Sequence, residues 1–120
     1  MHRQTKATSI PTAVKALVAE RDCANGPATC IICGRTGGPH CHIVRRSQGG
    51  KGVVENVVTL CNECHYAFDE GIGLNRLEPL GFYSRQDVED YIIDYIKSFY
   101  PDWTREKVTY HRYNFEETGG

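Results

Sequence analysis

Two Cys-x2-Cys knuckles, Cys30/Cys33 and Cys61/Cys64, constrain this chain more than any other feature. A tight turn brings each pair of sulfurs to one point, and two such points suit a single tetrahedral zinc ion. Four thiolates leave no open position for water or substrate, so the expected zinc is structural, tying the start of the module to the root of the helix after it. Its loss should unfold the domain rather than slow a reaction. Six cysteines could instead form disulfides or lie buried as thiols. However, Met1 to Ser9 is polar and no apolar signal core follows. Thiols kept reduced inside a cell are better explained by metal. No apolar run approaches membrane-spanning length. The expectation is a soluble, cytoplasmic protein with no membrane partner.

A chain of 120 residues suffices for one domain with a modest core. The formal charge of −1 gives no argument for a polyanionic partner, but its distribution does. No acidic residue falls between Asp22 and Glu55, whereas Arg35, Arg45, Arg46 and Lys51 all do. The acidic counterweight, Asp87, Glu89, Asp90 and Asp94, sits in one helix-like run. One basic face on a neutral protein is what phosphate binding requires.

In chain order, residues 1–10 read as a flexible polar arm. Pro11 opens a short amphipathic helix carrying Val14, Leu17 and Val18 and ending near Asn25-Gly26-Pro27, a lid on the zinc module. After the first knuckle, where Gly34 can supply open backbone geometry, His40 to Val44 is expected as a strand. A Gly-rich connection leads to a returning β-branched strand, Val57 to Leu60, and then to a helix over Asn62 to Glu70 ended by Gly71. This zinc-stabilised module spans 11–73. The remainder, 74–120, is a helical extension: a loop to Tyr83, then Ser84 and Asp87 capping the strongest helix, with Val88, Tyr91, Ile92, Tyr95, Ile96 and Phe99 as its apolar stripe and Pro101 as its stop. Thr104 is a candidate cap for a further turn, before Tyr110-His111-Arg112-Tyr113 and a polar end.

The segment His40-Cys41-His42-Ile43-Val44, a Gly-Gly loop, Asn56-Val57-Val58-Thr59-Leu60-Cys61 and then Cys64-His65 resembles the HNH nuclease family. The resemblance covers roughly the middle third of the chain. It implies an α+β fold: a small zinc-bound ββα-metal core of β-hairpin plus helix, flanked here by an N-terminal helix and a C-terminal amphipathic helix. It also implies a second, catalytic divalent metal (Mg2+, Mn2+, Ni2+, Co2+ or Zn2+). Matched residue by residue, His42 is the general base, Asn56 holds the base's loop and His65 binds the catalytic metal. An imidazole with an ordinary pKa near 6.5 can take a proton from water at neutral pH. A metal would neutralise charge on the phosphate and the departing 3′ oxygen.

Two positions depart from the family pattern. Cys41 stands where a His or Asp usually serves as a second metal ligand, and a thiolate favours softer ions over magnesium. Either Cys41 binds such an ion, or His40 substitutes for it, or the site is weakened. Arg45 stands where family members often carry Pro and, with Arg46 and Lys51, is a candidate phosphate contact. The implied function is a metal-dependent DNA endonuclease, monomer or homodimer, of the small stand-alone kind that phages and prophages encode. The rivals are a non-catalytic zinc-stabilised nucleic-acid-binding module and an interaction protein using the helix from Ser84 to Tyr100.

Overall fold

The computed structural model describes residues 3–23 and 28–111. Besides four short 3-10 turns, its described elements are four α-helices and one hairpin: α1 (Arg3–Thr8), α2 (Thr12–Arg21), β1 (Gly38–His42), β2 (Val57–Leu60), α3 (Asn62–Glu70) and α4 (Arg85–Phe99). The turn expected at Asn25-Gly26-Pro27 and the chain end after His111 lie outside the described residues.

The two strands pair antiparallel, with Cys41 opposite Val58 and His42 opposite Val57 and an irregularity between Gly38 and Cys41. The first strand starts and ends two residues earlier than the pattern suggests. Ile43 and Val44 are apolar and buried, but the Val44 amide and carbonyl are both taken by the Asn56 side chain, so they cannot join the ladder. All four residues of β2 are buried, because the hairpin is covered on two sides, by α2 and by α3. That explains a β-branched run without polar alternation.

In α3, Cys61 is the N-cap, its sulfur accepting the Cys64 amide at 3.4 Å. The helix buries Cys64, Ala67 and Phe68, leaving His65 and Asp69 as neighbours one turn apart on a more open side. In α4, the Ser84 hydroxyl accepts the Asp87 amide and the Asp87 carboxylate accepts the Ser84 amide. Such a cap contributes about 0.5–2 kcal/mol. Val88, Ile92 and Ile96 are fully buried in one cluster with Phe68, Leu60 and Trp103. Each contributes roughly 1.5–3 kcal/mol by burial. Tyr91 and Phe99, at the edges of the expected stripe, are 40% and 44% exposed. The Thr104 hydroxyl accepts the Lys107 amide at 3.2 Å, as a cap should.

Helix α2 packs on the hairpin. It is less amphipathic than its spacing suggests, since Val18 is buried while Leu17 is 55% exposed. Its anchor is polar. Arg21 pairs with Asp22 at 2.8 Å and donates to the carbonyls of Val54 and Val57, both at 2.6 Å. Asp22, itself buried, accepts the Thr59 amide at 2.9 Å and the Tyr95 hydroxyl at 2.6 Å. One ion pair therefore fixes α2, β2 and α4 together, with every partner satisfied, the condition under which a buried pair is tolerated.

The expected flexible arm differs most from the structure. Residues Arg3–Thr8 form α1, Thr8 is 2% exposed, and the Gly52 amide donates to the Ala7 carbonyl at 3.1 Å. Polar sequence without periodicity is a fair signal of a loose end, but tertiary hydrogen bonds to the Gly-rich loop override it here.

Candidate functional site

The sulfurs of Cys30, Cys33, Cys61 and Cys64 all lie within 4.8 Å of one another. Zinc–sulfur bonds of about 2.3 Å in a tetrahedron place sulfurs about 3.8 Å apart, and Cys33 and Cys61 stand at 3.5 Å. Gly34 adopts φ 79°, the left-handed geometry that closes the first knuckle. A hydrogen bond from Cys64 is the main influence holding the Cys30 thiol down at about 4, while burial lifts Cys33 to about 11 and the bond to Cys30 pushes Cys64 up. The donor set fits structural zinc.

A second group of donors forms beside the hairpin: Cys41, His65 and Asp69 each offer an atom within 4.8 Å of the others. His65 Nε2 and Asp69 Oδ2 are 2.8 Å apart. Burial raises the Asp69 carboxyl, but the His65 hydrogen bond and the charges of His65, Arg45 and Arg85 leave it below its ordinary value. Cys41 is fully buried, and that burial, with the nearby negative charge of Asp69 and Cys30, holds its thiol well above the usual range. His40 is not in this group. It is exposed, with its ring edge-on to His65 at 5.3 Å between centroids. Asp69 was not singled out from sequence, although its position four residues after His65 in an expected helix would have flagged it.

His65 and Asp69 of this group open onto a cleft of about 550 Å3, lined also by Lys15, His40, His42, Arg45 and Arg46 among others, whereas the buried Cys41 does not line it. His42 and His65 thus share one opening. The imidazole of His42 is half-buried, and its Nε2 lies 2.7 Å from the Thr8 carbonyl. A carbonyl can only accept, so Nε2 carries the proton and Nδ1 keeps its lone pair. Burial is the largest influence lowering the His42 pKa, opposed by the bond to Thr8 and reinforced by Arg46.

Asn56 is fully buried and holds the loop after β1. Its Oδ1 accepts the Val44 amide at 2.8 Å, and its Nδ2 donates to the carbonyls of Val44 at 3.1 Å and Lys51 at 2.9 Å. Gly50 passes so close beneath that an added Cβ would lie 1.6 Å from the Val44 carbonyl oxygen. The loop is therefore locked two residues from His42.

The three cations chosen from sequence divide. Arg45 lines the cleft and donates to the Asp69 carbonyl. Arg46 lines it too, reaching the hydroxyls of Thr8 at 3.3 Å and Ser9 at 3.2 Å. Lys51 does not line it. Its ammonium donates to the Lys107 carbonyl at 3.3 Å and faces a different cavity beside Tyr100 and Trp103. Lys15, which carried no sequence signal, stands in the cleft instead.

Comparison with protein families gives a match in the middle of the chain. Residues 30–67 match the HNH endonuclease family. The HNH segment takes in both knuckles, the hairpin and most of α3, and stops short of Asp69. The family so matched is one of endonucleases. Comparison with curated proteins and with solved structures gave no match. Among the described residues, no helix is long and apolar enough to cross a membrane.

Proposed function

We propose that the protein is a metal-dependent endonuclease that hydrolyses DNA phosphodiester bonds. The observation that carries this reading is one cleft lined by the His42 imidazole, by His65 and Asp69 of the three-donor group, and by the cations of Lys15, Arg45 and Arg46.

His42 acts as the general base. Its Nδ1 takes the proton from the attacking water while Nε2 stays bound to the Thr8 carbonyl, which holds the ring in place. Asn56 keeps the His42 loop fixed without touching substrate. Arg46 and Lys15 attract the phosphate backbone without reading bases. Cys41, His65 and Asp69 would hold a divalent metal, which when bound supplies positive charge to the phosphate and the leaving 3′ oxygen. One sulfur, one nitrogen and one oxygen donor fit a borderline ion such as zinc, cobalt or nickel better than magnesium.

Incubating supercoiled plasmid with each divalent metal, with and without His42→Ala, tests the proposal. The expected result is relaxed or linear DNA from the wild type and a loss of about 10²–10⁴-fold in the variant. Undiminished cleavage by the variant removes His42 as the base. Binding without turnover under every metal favours the non-catalytic module, a reading to which the deeply buried, high-pKa thiol of Cys41 lends some weight.

A further inference from the structure

The amide of Gly52 and the imidazole of His42 both terminate on the same short stretch of chain, far from either in sequence. At the end of any α-helix the last carbonyls lack intrahelical partners and must find others. In α1 two of them do so on catalytic-loop elements. The Ala7 carbonyl accepts the Gly52 amide at 3.1 Å, and the Thr8 carbonyl accepts His42 Nε2 at 2.7 Å. Arg46 pins the same stretch from the cleft side through the hydroxyls of Thr8 and Ser9. Ser9 and Ile10 then continue along the cleft wall. The stretch from Ala7 to Ile10 lies outside the segment 30–67, while His42, Arg46 and Gly52 lie within it.

We propose that Ala7–Ser9 is a positioning strap for the cleavage reaction: its Thr8 carbonyl selects the His42 tautomer that leaves Nδ1 free as the base. This rests on the endonuclease reading of the cleft. A neutral imidazole in water exchanges between tautomers, and only one places the lone pair at Nδ1. A fixed acceptor at Nε2 removes the other. It also fixes the ring plane, and small misplacements of a reacting group cost rate steeply. The strap touches neither water nor phosphate through this carbonyl. It acts through His42.

The structure supplies a wedge for testing it. A Cβ at Gly52 would lie 1.9 Å from the Ser9 carbonyl oxygen and 2.9 Å from the Ile10 Cα, so Gly52→Ala must push the strap off the loop. Gly52 has no left-handed φ, so alanine suits the backbone there. The four knuckle cysteines lie elsewhere in the fold, so zinc content is an independent check on folding. A second variant, Thr8→Gly, keeps the carbonyl but removes the buried side chain that Arg46 holds, loosening the strap without inserting an atom.

The readouts are the imidazole nitrogen NMR signals of His42 and steady-state plasmid cleavage, both on zinc-loaded full-length protein. The wild type should show a protonated Nε2 and a lone-pair Nδ1. Gly52→Ala should average the two signals and lower kcat by about 10–100-fold with KM nearly unchanged, Thr8→Gly the same in lesser degree. A wild-type His42 protonated at Nδ1 overturns the proposal, as do strap variants with wild-type tautomer and kcat. Failure of the endonuclease reading looks different: no cleavage from any form, with the tautomer signals still deciding what the strap does.

Discussion

Replacing Asn56 by alanine is the sharpest test of how the site is built, because its cost can be worked from three hydrogen bonds in a fully buried place. The change strands the Val44 amide, the Val44 carbonyl and the Lys51 carbonyl, now satisfied at 2.8, 3.1 and 2.9 Å. A buried polar group left without a partner costs about 1–3 kcal/mol. Water entering the vacated space would recover part of this, so the net loss should be about 3–5 kcal/mol. That is a large share of a total of about 5–15 kcal/mol for a typical domain, and corresponds to a fall in Tm of roughly 10–25 °C. The assay is a thermal melt of zinc-loaded protein, with zinc stoichiometry and the exchange rate of the Val44 amide measured alongside. Zinc should remain bound while that amide loses protection. Asn56→Asp refines the test: it keeps the acceptor for Val44 but turns the donor into an oxygen facing two carbonyls. Its folded-state pKa is thereby raised, so its penalty should be full at neutral pH and should ease on acidification as the protonated carboxyl regains one donor. A Tm change under about 3 °C for Asn56→Ala would refute the reasoning, since it would mean that the loop holds without the clamp.

Two further outcomes follow from the charges and donors at the cleft. Cys41→Asp should shift the metal preference toward magnesium and manganese, changing the ratio of magnesium- to nickel-supported cleavage by at least roughly tenfold; magnesium-supported cleavage unaffected by Cys41→Ala would remove Cys41 from the site. Because the base must be unprotonated and burial lowers the His42 pKa, the rate at saturating metal should rise with pH to a plateau, with its midpoint below the ordinary histidine value of about 6.5; a rate still climbing steeply well above neutral pH would assign the controlling proton to another group.

The hairpin, the third helix and the capped fourth helix were legible because each rests on local chemistry. The bounds Val57–Leu60 and Asn62–Glu70 follow from a β-branched run and from cysteine and glycine at the helix ends. Ser84 and Asp87 announce α4 by the capping geometry they form. The first strand was read two residues late because hydrophobicity marks burial, and it is a side chain twelve residues away that withdraws Val44 from the ladder. Arg21 and Asp22 gave no signal either. In sequence they are an ordinary charged helix end, and their value comes from carbonyls more than thirty residues on.

The same division runs through the site. Cys41, His42, Asn56 and His65 could be found by likeness because they belong to one contiguous segment with its own spacing. Asp69 lay within reach of a helical-spacing argument. Thr8 lay beyond any such argument, because its contribution is a main-chain carbonyl, and every residue type carries one. What distinguishes it is its place at the end of α1, where the chain passes against Gly52, a residue whose lack of a side chain reads in sequence as mere loop flexibility. Lys51 and Lys15 illustrate the converse. They carry the same charge, but the sequence favours Lys51 for its place near other cations, whereas the fold sends the Lys51 side chain to the Lys107 carbonyl and a different cavity and brings Lys15 to the cleft on α2. Side-chain chemistry can be read one residue at a time; main-chain acceptors and the direction in which a charge points are properties of the tertiary structure, and in this protein the orientation of the proposed base depends on both.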